Sequence, residues 1–159
     1  PRDTFFPRRR VLAINPGSTS TKISVYQGDI ERFTTELQHS AQELEPYDNL
    51  PITEQAGFRR EAVVQALADH DLDLEDLDAI SARGGLIQPI PHGTYGVNEQ
   101  MLDDLRAAVG GEHASNLGAL IADELGKGRG SEWEREVLDE LRPPFGGDAV
   151  RRHRRSAGI

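Results

Sequence analysis

An apolar run, Val11-Leu12-Ala13-Ile14, ends in Asn15-Pro16-Gly17; four hydroxyl residues and Lys22 follow, and alternation resumes in Ile23-Ser24-Val25-Tyr26. Pro16 and Gly17 break the run too sharply for a helix to follow it. The return of a two-residue period soon afterwards predicts strand, tight turn, strand. The chain is therefore committed to a sheet whose first turn, Gly17 to Thr21, is crowded with N–H and O–H donors.

The pattern extends the sheet. Val11 to Asn15 reads as a first strand and Lys22 to Tyr26 as a second. Gln27-Gly28-Asp29 is a hairpin signal, and Ile30 to Gln38 alternates as a third strand with Phe33 and Leu37 inward. Short connections between sequential strands predict an antiparallel meander. Ser40 to Pro51 is polar and broken by prolines, hence a loop. Thr53 is expected to cap a helix with Phe58, Ala62, Val63, Ala66 and Leu67 on one face. Leu77 to Ala82 reads as a fourth strand, reached by that helical crossover and so parallel to a neighbour. Asn98 is expected to cap a helix bearing Met101, Leu105, Ala108 and Val109, stopped by Gly110-Gly111. A further helix is expected from Ala114 to Leu125.

The character changes at Gly126. Up to Leu125 there are 10 basic against 21 acidic residues; from Gly126 on there are 8 against 6, and that stretch is rich in Gly, Pro and Arg. Within it only Trp133 to Leu141 has a helical pattern. The division expected is an extension over 1–10, a folded domain over 11–125 and an atypical basic tail over 126–159.

Bulk composition sets limits. A net charge of −9 argues against nonspecific binding to nucleic acid or an anionic membrane. The absence of cysteine removes disulfides and thiolate chemistry. No apolar run approaches the roughly 18 residues of a membrane span, and Pro1 to Arg10 lacks the apolar core of an export signal, so a cytoplasmic location is expected.

The first turn carries the chemistry. Phosphoryl groups bind where preorganised donors converge. Gly17 lets backbone approach an oxygen; Ser18, Thr19, Ser20 and Thr21 add hydroxyls; Lys22 adds charge; Asn15 offers an oxygen suited to orienting a water on Mg²⁺. The order is not that of a Walker A loop, since Gly-Lys-Ser/Thr is missing and a strand follows. Asn-Pro-Gly-Ser is also an ordinary turn sequence, so two readings stand: a plain turn or an anion grip. Arg83, before Gly84 and Gly85 at a strand end, is either a surface ion-pair partner or a bidentate grip for a carboxylate or phosphate. His113, Ser115 and Asn116 either cap and pack a helix or line a substrate cleft. Glu112 and His113 have no third ligand at a metal-site spacing.

Three segments resemble the butyrate kinase branch of the acetate and butyrate kinase family: Leu12 to Tyr26 (LAINPGSTSTKISVY), Arg83 to Asn98 (RGGLIQPIPHGTYGVN) and Gly111 to Glu124 (GEHASNLGALIADE). The resemblance covers about Arg10 to Leu125. It implies an α/β fold: the N-terminal half, incomplete, of a ribonuclease-H-like domain of the acetate and sugar kinase, Hsp70 and actin superfamily. It implies transfer of a phosphoryl group from ATP to a short-chain carboxylate such as butyrate, with Mg²⁺, giving acyl phosphate and ADP, reversibly. The residues it implies for phosphate and nucleotide are Asn15, Gly17, Ser18, Thr19, Ser20, Thr21 and Lys22, with Asn15 holding the metal through water. Arg83 and Lys22 would be catalytic, and Arg83, Gly84, His113, Ser115 and Asn116 would meet the substrate. Acetate kinases place an arginine three positions before the residue matching Arg83, where this chain has Ile80.

Members of that family run well beyond twice this length. The expectation is a truncated and inactive form with a tail of shifted-frame character. A noncatalytic fragment that self-associates through surface normally covered, a regulatory nucleotide-binding module, and a kinase for acetate or propionate are the alternatives.

Overall fold

The computed structural model describes residues 9–127. Three strands follow one another: β1 (Arg10–Pro16), β2 (Ser20–Gln27) and β3 (Ile30–Gln38). They pair antiparallel, Ile14 opposite Ile23 and Val25 opposite Phe33. The β2–β3 hairpin turns on Gly28, whose φ of 61° lies where a side chain is disfavoured. Helix α1 (Ala41–Leu44) and helix α2 (Ala56–Asp69) lead to strand β4 (Ala79–Ala82), which pairs parallel to β1. The sheet order is β3-β2-β1-β4. Helices α3 (Glu99–Arg106) and α4 (Leu117–Gly126) complete the described chain.

One face of the sheet makes the core. Leu12, Ile14, Ile23 and Val25 alternate inward along β1 and β2, and Phe33, Leu37, Ile80 and Ala82 extend that face. Val63, Ala66 and Leu67 of α2 and Leu117, Ile121 and Leu125 of α4 cover it. Each fully buried Val, Leu or Ile among them contributes about 1.5–3 kcal/mol on leaving water. Helix α4 is buried on two sides, because Ala119 and Leu120 pack on Leu102 and Leu105 of α3. The opposite face of β1 and β2 carries Asn15, Lys22 and Tyr26 to solvent.

The strands lie where the sequence predicts them, extended by a residue or two at β1 and β2, while the fourth begins only at Ala79, because Leu77 closes the preceding 3-10 turn Leu74–Asp76. Four other expectations need correction. The segment after β3 is not plain loop: the Ser40 hydroxyl caps the Glu43 N–H while the Glu43 carboxylate accepts from the Ser40 N–H, and that reciprocal pair holds α1. Thr53 does not cap α2. A 3-10 turn, Ile52–Gln55, precedes the helix, and Gln55 stands at its cap without a side-chain cap bond. Helix α3, which Asn98 does cap (Met101 N–H to Oδ1, 2.8 Å), stops at Arg106. Ala108 turns left-handed (φ 51°) and Val109 is 49% exposed, so neither extends the apolar stripe. The stretch from Ala114 begins as a 3-10 turn, Ala114–Asn116, before α4. The expected tail beyond Lys127, its helix at Trp133–Leu141, and most of the expected extension over 1–10 lie outside the described residues.

Candidate functional site

Gly17, Ser18 and Thr19 form the turn between β1 and β2, closed by the Gly17 N–H donating to the Ser20 carbonyl at 2.7 Å. Behind the turn stands Arg59 of α2, fully buried. Its Nη1 donates to the Gly17 carbonyl (2.6 Å), the Ser20 carbonyl (2.9 Å) and Thr21 Oγ1 (3.2 Å). Its Nη2 donates to the Ser18 carbonyl (2.9 Å), and Nη2 and Nε both reach Gln55 Oε1 at 2.8 and 3.0 Å. The Thr19 carbonyl accepts from the His39 N–H at 2.9 Å. Every carbonyl from Gly17 to Ser20 is thus turned into the protein. The N–H groups of Ser18 and Thr19, and their exposed hydroxyls, make no hydrogen bond among the described residues.

The buried guanidinium has no carboxylate partner among the described residues. Carbonyl and amide oxygens solvate it instead, as a buried cation requires. Burial pushes Arg59 down to about 10, so it stays charged at neutral pH. His39 is held below its ordinary 6.5, first by burial and then by the Arg59 charge. It is therefore neutral at pH 7. Thr21 Oγ1 accepts from Arg59 and shares a hydrogen bond of 2.9 Å with His39 Nε2.

The sequence-derived residues separate by environment. Asn15 and Lys22 are paired across β1 and β2 on the solvent face. The Ser20 hydroxyl donates to Glu36 Oε1 at 2.9 Å. Thr21 is fully buried in the Arg59–His39 network. Arg83 leaves the sheet beside Asn15, its N–H donating to the Ile14 carbonyl at 3.0 Å. The turn after β1 and the exit from β4 therefore share the carboxyl edge of two parallel strands, the usual ligand edge of an open α/β sheet.

A cavity of about 470 Å³ opens at that exit. Arg83, Ile87, His92, Tyr95, Met101 and Asp123 are among its lining residues, and Gly84 joins them. None of residues 15–22 lines it, and neither do His113, Ser115 and Asn116. The Asn116 side chain lies behind the wall, wholly buried, with Oδ1 accepting from the Leu86 N–H (2.8 Å) and Nδ2 donating to the Gly111 carbonyl (2.9 Å). His113 Nδ1 accepts from the Ser115 N–H at 3.1 Å and lies 2.8 Å from its hydroxyl, closing the turn before α4. Gly118 lets α4 approach: a Cβ there would lie 2.5 Å from the Arg83 carbonyl oxygen.

Among the described residues no three His, Cys, Asp or Glu side chains converge as a metal cluster. Mg²⁺ that is held mainly by nucleotide phosphates and water needs no such cluster, and the exposed Asn15 fits a water-bridged contact. Sequence reasoning missed Arg59, Gln55, His39, His92 and Asp123. Arg59 did leave a signal: Gln55, Arg59, Val63, Ala66 and Leu67 share one helical face, so a cation sits in a stripe otherwise largely apolar.

No protein-family model matches the chain. Curated relatives do. Butyrate kinase 2 of Clostridium acetobutylicum is 49% identical over 121 residues, 76% of this chain and 33% of that protein. Butyrate kinase 1 of the same organism is 48% identical over 118 residues, 74% of this chain and 33% of that protein. A probable butyrate kinase of Listeria monocytogenes is 48% identical over 115 residues, 72% of this chain and 32% of that protein. The chain spans about a third of the length of these relatives, consistent with an N-terminal portion. Over about three quarters of its length the chain is similar to butyrate kinases, a family of phosphotransferases.

Proposed function

We propose that this chain carries the phosphate-binding edge of a carboxylate kinase of butyrate kinase type, on the first half of a ribonuclease-H-like domain of the acetate and sugar kinase, Hsp70 and actin superfamily. One observation carries the reading: the turn after β1 has its carbonyls drawn inward by Arg59 and His39, leaving the donors of Ser18 and Thr19 outward at the same carboxyl edge of the sheet from which Arg83 departs. The mixed sheet with β4 parallel to β1 is compatible with that superfamily.

In the proposed reaction a carboxylate oxygen attacks the γ-phosphorus of ATP. An O–P bond forms, the bridging bond to the β-phosphate breaks, and ADP leaves with its electron pair. Both reactants are anionic, so the protein's work is positioning and charge. Ser18 and Thr19 donate to phosphoryl oxygens, with Gly17 giving close approach and Ser20 joining once its hydroxyl turns from Glu36. Lys22 supplies charge from the neighbouring strand face. Thr21 and Asn116 act from behind, one fixing the turn and the other the cavity wall. Arg83 grips the substrate carboxylate at the cavity mouth, beside Gly84, and the acyl chain lies along Ile87 and Met101. His113 and Ser115 hold the turn that seats α4. Mg²⁺, when bound, would offset phosphate charge, with Asn15 orienting one of its waters.

The apolar wall favours acyl chains longer than acetate. Two additional buried methylenes are worth about 1.6 kcal/mol, roughly fifteenfold in affinity. The test is calorimetric titration with ATP and Mg²⁺, butyrate or acetate, beside a hydroxylamine trap for acyl phosphate. We expect nucleotide binding, butyrate preferred to acetate, and turnover far below the ~1–100 per second usual for kinases, because the described residues supply one wall of a cleft. Absence of nucleotide binding would refute the reading; turnover at ordinary kinase rates would refute the expected inactivity.

A further inference from the structure

The turn after β1 owes its shape to a residue forty positions away. The Ser20 carbonyl is held in part by the Gly17 N–H and the Thr19 carbonyl by the His39 N–H, but the Gly17 and Ser18 carbonyls have no backbone donor among the described residues. For those two, Arg59 supplies the donor. The guanidinium fork spans the Gly17, Ser18 and Ser20 carbonyls at 2.6 to 2.9 Å, while Gln55 holds the same fork from within α2 at 2.8 and 3.0 Å. Lysine cannot reproduce this, because one ammonium reaches from one point and lacks the planar spread of donors. With the carbonyl ends fixed inward, the N–H ends face out, and a permanent positive charge stands behind them.

We propose that Arg59 is the positioning residue of the phosphate site: it orients the turn's peptide dipoles toward an incoming phosphoryl group without touching that group. The proposal rests on the phosphate reading of the turn and adds to it the residue that prepares the turn for an anion. Without the fork, the Gly17 and Ser18 carbonyls lose their donor and are free to turn outward, presenting lone pairs where an anion must sit. The buried, uncompensated charge fits this role. No carboxylate among the described residues cancels it, and it stays ionised at neutral pH.

The experiment uses the 159-residue chain with inorganic pyrophosphate as probe. Affinity is measured by calorimetry at low temperature, and melting temperature in parallel, for wild type, Arg59→Lys, Arg59→Met and Gln55→Leu. Wild type is expected to bind. Arg59→Lys, which keeps the charge and loses the fork, is expected to bind at least tenfold more weakly even where it is fully folded, and Arg59→Met weaker still. Gln55→Leu leaves the guanidinium in place but unanchored, and is expected to lose severalfold; it decides the matter if both Arg59 variants fail to fold. A purely structural role for Arg59 predicts lower melting temperatures with unchanged affinity of the folded protein, and that result overturns the proposal. Wild type that does not bind pyrophosphate overturns the phosphate reading itself, and the proposal with it.

Discussion

Two glycine-to-alanine substitutions in neighbouring helices should have opposite signs. In α4, a Cβ built on Gly118 lies 2.5 Å from the Arg83 carbonyl oxygen and 3.2 Å from Ala82 Cβ. The first distance is about an ångström inside ordinary contact and involves backbone, which cannot swing aside. Either α4 lifts from the end of β4 or Arg83 shifts with its strand. Overpacking of this kind costs typically about 1–3 kcal/mol. The helix propensity gained on replacing glycine offsets up to about 1 kcal/mol, so Gly118→Ala should be destabilising by ~1–2 kcal/mol. In α2, a Cβ on Gly57 meets nothing within 4 Å. Only the propensity gain remains there, and Gly57→Ala should stabilise by up to about 1 kcal/mol. Thermal melts of both variants beside the wild type read the difference, a few degrees in each direction. If Gly118→Ala melts at or above the wild type, α4 does not sit on the Arg83 carbonyl as described, and the placement of Arg83 at the cavity mouth loses its support.

Ala108, left-handed at φ 51° just after α3, should gain up to about 1 kcal/mol on replacement by glycine, read as a rise in urea midpoint. Asn98→Ala removes the 2.8 Å cap on Met101 N–H and should cost about 0.5–2 kcal/mol in the same assay. For pH, the sign follows from His39. Its pKa is lower folded than unfolded, so between the folded value and 6.5 the unfolded chain binds more protons. This group's contribution is therefore full above about pH 6.5 and falls as acid protonates it. Melts from pH 7.5 to 5 should show a stability loss that His39→Gln reduces; an equal loss in the variant would contradict the assignment.

The sheet was legible because its signals are local. Alternation in Ile30 to Gln38 marks β3 to the residue, Gly28 marks the hairpin, and Asn98 marks the start of α3. The capping box of α1 was equally local, since Ser40 and Glu43 have the required spacing, but the prolines at 46 and 51 pointed to loop. Overreach came where one apolar stripe was followed too far: Ala108 and Val109 continue the period of α3, yet the chain has already turned left-handed toward Gly110-Gly111. The site was legible only in part. Residues 15–22 announce their donors, but which way the donors face depends on Arg59, far along the chain. Arginine on a core-facing stripe is readable as an oddity; that its partners are the carbonyls of Gly17, Ser18 and Ser20 is a tertiary fact. Asn116 shows the converse. Its motif suggests a ligand contact, while its buried amide spans two loop segments, Gly111 and Leu86.

Anion binding by the turn after β1 is read most directly at the turn's own amides. An amide-resolved NMR titration of the chain with ADP tests it residue by residue. Saturable shifts are expected, largest at the Ser18 and Thr19 amides, with Gly17 and Lys22 following. Shifts confined to other parts of the chain, with Ser18 and Thr19 unmoved at saturation, would contradict it.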